Sequence, residues 1–189
     1  MKGEGMERKT GNECTADQQL PALGIGPYLE LMEKTAADSV DRKSIRMGLV
    51  MLWLSDNILD VMDVDLAPFG ITESKLDMLL LLMLHEGREL TTPSGIADRL
   101  GIRRASVTAL LDWLEKRGWI SREQSAKDRR MIHVSITPEG RALVNQVLPT
   151  FWSTCGSLLD DLDTEERKVF EKILSKLHQS IEKRVGVGR

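Results

Sequence analysis

The chain has 189 residues, 41% hydrophobic and 29% charged, with a net charge of −3. That length suits one domain with an added arm, and the composition is that of a globular protein rather than a disordered or fibrous one. No run of about 18 uncharged apolar residues occurs, which argues against a membrane span, and two cysteines, Cys14 and Cys155, cannot form a staple framework.

Residues 1 to about 20 are polar, mixed in charge and aperiodic, and are expected to be disordered. Glu4, Glu7 and Glu13 among the lysines are unlike the basic start of a signal peptide, so a cytoplasmic location is expected. A short amphipathic helix is predicted around Tyr28, Leu29, Leu31 and Met32. A longer one is predicted from Asp41 to Leu66, with Met47, Val50, Leu54, Ile58, Val61 and Met62 at helical spacing. Pro68-Phe69-Gly70 should end it. Thr72 can cap a third helix, whose apolar run from Met78 to Leu84 marks it as central.

Thr92-Pro93 signals another start, and Leu100-Gly101 the matching stop. The next helix runs from about Arg104 to Arg117, with Val107, Leu110, Leu111 and Leu114 inside and Gly118 closing it. Two helices joined by a glycine-containing turn form a helix-turn-helix. Trp119 to Gln124 and Met131 to Thr137 read as strands, the second with Ile132, Val134 and Ile136 inward and His133 and Ser135 outward. Thr137-Pro138 opens a long helix in which Pro149 predicts a kink. Asp163-Thr164-Glu165-Glu166 is a capping box for a last helix carrying Phe170, Ile173, Leu174, Leu177 and Ile181 on one side.

The predicted fold class is therefore mostly α, a winged helix-turn-helix with a two-stranded β wing and helices on either side. Charge concentrates on that wing and helix. Between Arg99 and Arg130 nine Lys/Arg face four Asp/Glu, within a chain that is acidic overall. A basic patch on an acidic body localises attraction to phosphate on one face, and double-stranded DNA is the implied partner.

Five ordered fragments carry a more specific likeness: Ala97-Asp98-Arg99-Leu100-Gly101-Ile102, Ala105-Ser106-Val107-Thr108, Leu114-Glu115-Lys116-Arg117-Gly118, Lys127-Asp128-Arg129-Arg130 and Ile136-Thr137-Pro138-Glu139-Gly140-Arg141. Together they resemble the MarR family of winged-helix transcription regulators. The resemblance implies a homodimer on a pseudo-palindromic operator, acting as a repressor and released by a small aromatic ligand. It divides the chain into an extension (1–40), a dimerisation helix (41–70), a DNA-binding lobe (71–137) and C-terminal dimerisation helices (138–189). It also implies that Arg129 enters the minor groove and that Arg130 pairs with Asp112, with Asp128 supporting the wing. Two departures stand out. Arg103 occupies the position where the family has a capping Ser or Thr, and Ala109 the position where Arg or Lys is common.

The expected DNA contacts are Arg103, Arg104, Ser106, Thr108 and Ala109 on the recognition helix and Arg122, Lys127, Arg129 and Arg130 on the wing. Residues near the start of such a helix reach base edges, while Arg122 and Lys127 would bind phosphate. Met47, Met51, Trp53 and Trp152 are candidates for an effector pocket, and core packing accounts for them equally well. Two other readings stand beside this one: a winged-helix module that binds protein, and an oxidant sensor using Cys14. His85, His133 and His178 lack metal-ligand spacing. Neither a metal nor a cofactor is expected, and no nucleophile–base arrangement suggests an enzyme.

Overall fold

A computed structural model describes residues 24–86, 91–124 and 131–185. The chain divides into two compact units, Met1–Trp53 and Leu54–Arg189. The described part of the first holds α1 (Gly26–Thr35) and the opening of α2 (Arg42–Leu66). Asp41 sits just ahead of α2 and accepts hydrogen bonds from the Ser44 hydroxyl at 2.6 Å and the Lys43 amide at 3.0 Å. The Ser44 bond, then the Lys43 bond, holds the Asp41 carboxyl below its usual range. Arg42 pairs with Asp38 at 3.3 Å, back towards α1.

The second unit begins within α2, at Leu54. A short 3₁₀ turn, Ala67–Phe69, closes on Gly70, whose φ of 66° is the left-handed conformation that glycine adopts without strain. There follow α3 (Glu73–Leu84), α4 (Pro93–Leu100), α5 (Arg104–Lys116), β1 (Ile120–Gln124), β2 (Ile132–Ile136), α6 (Pro138–Ser157) and α7 (Thr164–Val185). The strands pair antiparallel with Ile120 opposite Ile136 and Gln124 opposite Ile132.

One core unites this unit from Leu66 to Val147. Leu76, Met78, Leu79 and Leu82 of α3 meet Ile96 and Leu100 of α4, Val107, Leu111 and Leu114 of α5, Val134 and Ile136 of β2, and Val144 and Val147 of α6. Val134 also donates its amide to the Thr91 carbonyl at 2.8 Å, which holds the wing's second strand against the chain entering α4.

Local chemistry explains most boundaries. Thr92 and Thr137 each accept from the amide three residues on, Gly95 at 3.2 Å and Gly140 at 3.0 Å, and each is followed by proline. Asp163 and Glu166 form the reciprocal capping box: Asp163 Oδ1 accepts from the Glu165 and Glu166 amides, and Glu166 Oε2 accepts from the Asp163 amide.

Two expectations need correcting. Thr72 occupies the N-cap of α3, but its side chain makes no capping bond. The Glu73 amide goes instead to Asp63 Oδ1 at 2.6 Å, and Thr72 Oγ1 accepts from Lys75 Nζ. Asp63, ten residues upstream on α2, thus meets the first helical amide, and the Lys75 amide goes to the Thr72 backbone carbonyl at 3.1 Å. Ile132 shares the inward side with Val134 and Ile136 but is exposed, since it lies at the end of the ladder away from the core. α6 runs as one element through Pro149, the proline at which a kink is expected, and that proline leaves the Asn145 carbonyl without its usual amide partner.

Candidate nucleic-acid interface

The turn between α4 and α5 determines what α5 presents. Gly101 caps α4 at φ 63° and sends its amide to the Ala97 carbonyl, so the chain reverses within three residues. Arg103 is extended and places no side-chain cap on α5. Behind the helix, Val107, Leu111 and Leu114 are buried. The period of 3.6 then leaves Arg103, Arg104, Ser106, Thr108, Ala109 and Asp112 exposed. Five of these are the recognition-helix residues expected from the sequence, brought to one accessible stretch. Thr108 donates its hydroxyl hydrogen to the Arg104 carbonyl at 3.0 Å, so its oxygen is left as an acceptor and its methyl as an apolar contact.

The helix is braced from behind. Arg117 stacks on Trp113 with its guanidinium carbon 3.5 Å from the ring centre, and Lys75 reaches the same ring at 4.6 Å. Trp113 and Trp119 meet edge to face at 5.5 Å. Lys116 and Arg117, both in the sequence's basic tally, are both exposed, and Arg117 also lies over aromatic rings.

A second brace joins the far end of α5 to α6. Thr137 donates its hydroxyl to the Gly118 carbonyl at 2.6 Å and its amide to the Trp119 carbonyl at 3.0 Å. Gly140 is buried against this turn, and a Cβ there would lie 2.1 Å from the Trp119 carbonyl oxygen. Only glycine permits that approach, so the first turn of α6 is fixed directly on the end of the helix-turn-helix. Arg141 adds an ion pair to Glu86 after α3.

Arg122 departs from expectation. Rather than standing out towards phosphate, its side chain is only 21% exposed, and Nη2 donates to Asp112 Oδ1 at 2.7 Å. Nε lies 3.5 Å from Glu115 Oε2, buried and without a hydrogen-bond partner. Asp112, which the family likeness pairs with Arg130, accepts from Arg122. Period-two reasoning could have found this: Ile120 is buried, so Arg122 shares its side of the strand and faces α5. Lys127, Asp128, Arg129 and Arg130 lie outside the described residues.

Among the other candidates, Met47, Met51 and Trp53 are exposed in the first unit and Trp152 is exposed in the second. Cys14 is outside the described residues, and Cys155 is a half-buried free thiol on α6. Among the described residues, no three His, Cys, Asp or Glu converge as metal ligands, and no helix is long and apolar enough to cross a membrane.

Comparison with known proteins identifies the frame. Residues 69–131 match the model of the MarR family. The chain is 30% identical over 143 residues to the HTH-type transcriptional repressor YetL of Bacillus subtilis, covering 76% of this chain and 85% of that one. It is 31% identical to the transcriptional repressor MprA of Escherichia coli, over 71% of this chain and 76% of that one. The S. aureus MepR–DNA complex superposes with a TM-score of 0.61 at 26% identity, over 70% of this chain and 96% of that one. The chain belongs to the MarR family of winged-helix transcriptional regulators, and it is a regulator rather than an enzyme.

Proposed function

We propose that this protein is a repressor that binds a pseudo-palindromic operator as a homodimer and is released by a small aromatic effector. The observation that carries the DNA-reading part is the exposed start of α5. Arg103, Arg104, Ser106, Thr108 and Ala109 are uncovered on a helix whose other side is locked into the core. Arg104 can donate to guanine, Ser106 can donate or accept, and the Thr108 methyl and Ala109 suit a thymine methyl. The uncapped amides at the start of α5, beside Arg103, suit a phosphate. In this reading Lys127, Arg129 and Arg130 also contact DNA, with Arg129 in the minor groove, as the family resemblance implies.

The dimer reading rests on α7. It has an apolar stripe and no buried residue, the pattern of a helix whose partner is outside the chain. Residues 71–137 then form the DNA-binding lobe, and α2, α6 and α7 the dimer helices. Two copies of α5 about 34 Å apart would enter successive major grooves. An effector that favours another spacing releases DNA by its differential affinity for the two states.

The test is fluorescence anisotropy with duplex selected by the protein from a random pool, against scrambled duplex, for the wild type and Arg104→Ala. The reading expects nanomolar binding to selected DNA, with Arg104→Ala at least tenfold weaker and still folded. Equal weak binding to both duplexes would favour the protein-interaction module.

A further inference from the structure

We infer that Arg122 serves DNA binding as a positioning residue, a clamp on two carboxylates of α5, and not as a phosphate contact; this rests on the DNA-reading proposal above. The recognition helix carries Asp112 and Glu115 one turn apart, and both are exposed. Two carboxylates on the helix that must approach phosphate oppose binding by like-charge repulsion. A single guanidinium answers both: Nη2 lies 2.7 Å from Asp112 and Nε lies 3.5 Å from Glu115.

Three features separate a clamp from a phosphate contact. The Arg122 side chain is largely covered, and its Nε is fully buried. Its place on β1 opposite Val134, on the Ile120 side of the strand, turns it towards α5. Both acids it meets belong to α5, so the contact fixes the angle between wing strand and recognition helix as well as their charge. Arginine suits this position because its planar fork can face two carboxylates at once, which a lysine point charge does less well.

The test is a mutant cycle on selected duplex. Arg122→Gln keeps the aliphatic stem and removes the charge, while Asp112→Asn with Glu115→Gln neutralises the two acids. All four proteins are measured by anisotropy, with circular dichroism melts alongside. The clamp expects Arg122→Gln to weaken binding about tenfold. It also expects the gain from neutralising the acids to be about tenfold larger in the Arg122→Gln background than in the wild type. An equal gain in both backgrounds would make Arg122 an independent DNA contact and overturn the clamp. So would undiminished binding by Arg122→Gln, or a binding loss that follows a fallen melting temperature and is not restored by the neutral pair. If the wild type selects no duplex at all, it is the DNA-reading proposal that fails, and the clamp with it.

Discussion

Helices α3 and α7 carry the same kind of signal, apolar residues at helical spacing, and meet opposite fates. In α3, Leu76, Met78, Leu79 and Leu82 are buried among α4, α5, β2 and α6. In α7, Val169, Ile173, Leu174 and Ile181 are exposed, and none of its residues is buried. Periodicity marks a face that needs cover; it does not say whether the cover comes from the same chain. α3 is enclosed because α4, α5, β2 and α6 of the same chain pack against it. α7 follows the long α6, with its own capping box and a polar opposite face, and has the form of an element made to be covered by another molecule.

The comparison can be broken by charging one helix and hollowing the other. On the proposed homodimer through α7, Ile173→Asp with Leu174→Asp should raise the dimer dissociation constant by about three orders of magnitude, read by analytical ultracentrifugation, because each charge would have to be buried unpaired. A dimer of unchanged affinity would show that α7 is not an interface. Leu79→Ala should cost the fold about 3 kcal/mol in urea unfolding at fixed protein concentration, by transfer and cavity terms together. A loss below about 1 kcal/mol would mean that α3 is less central than its burial indicates. Thr92→Ala removes one capping bond at the start of α4 and should cost only about 1 kcal/mol in the same assay. No measurable change there would mean that the proline and the core alone determine that helix start.

Local grammar was legible in advance, and partnership less so. Thr92-Pro93, Thr137-Pro138, Gly101 and the Asp163–Glu166 box act within four residues, so reading them needs no knowledge of the fold. The exposed stretch of α5 was also legible, because its apolar stripe at Val107, Leu111 and Leu114 determines which residues face away. The misses involve choices between distant partners. Asp63 accepts the Glu73 amide at the start of α3 from ten residues away, and Arg122 meets Asp112 across the same separation in sequence. In each case several chemically suitable groups compete, and only the packed geometry decides among them. The approach of Gly140 to the Trp119 carbonyl belongs with these, since nothing within a turn of Gly140 reveals that a backbone oxygen lies against it.

The central claim is that the exposed start of α5 reads bases from the major groove in two related copies. Methylation interference on a selected duplex tests this most directly, because guanine N7 lies in the major groove. The account expects two patches of interference separated by about 10 base pairs, each weakened in Arg104→Ala. Interference confined to one patch, or the same pattern with Arg104→Ala, would contradict it.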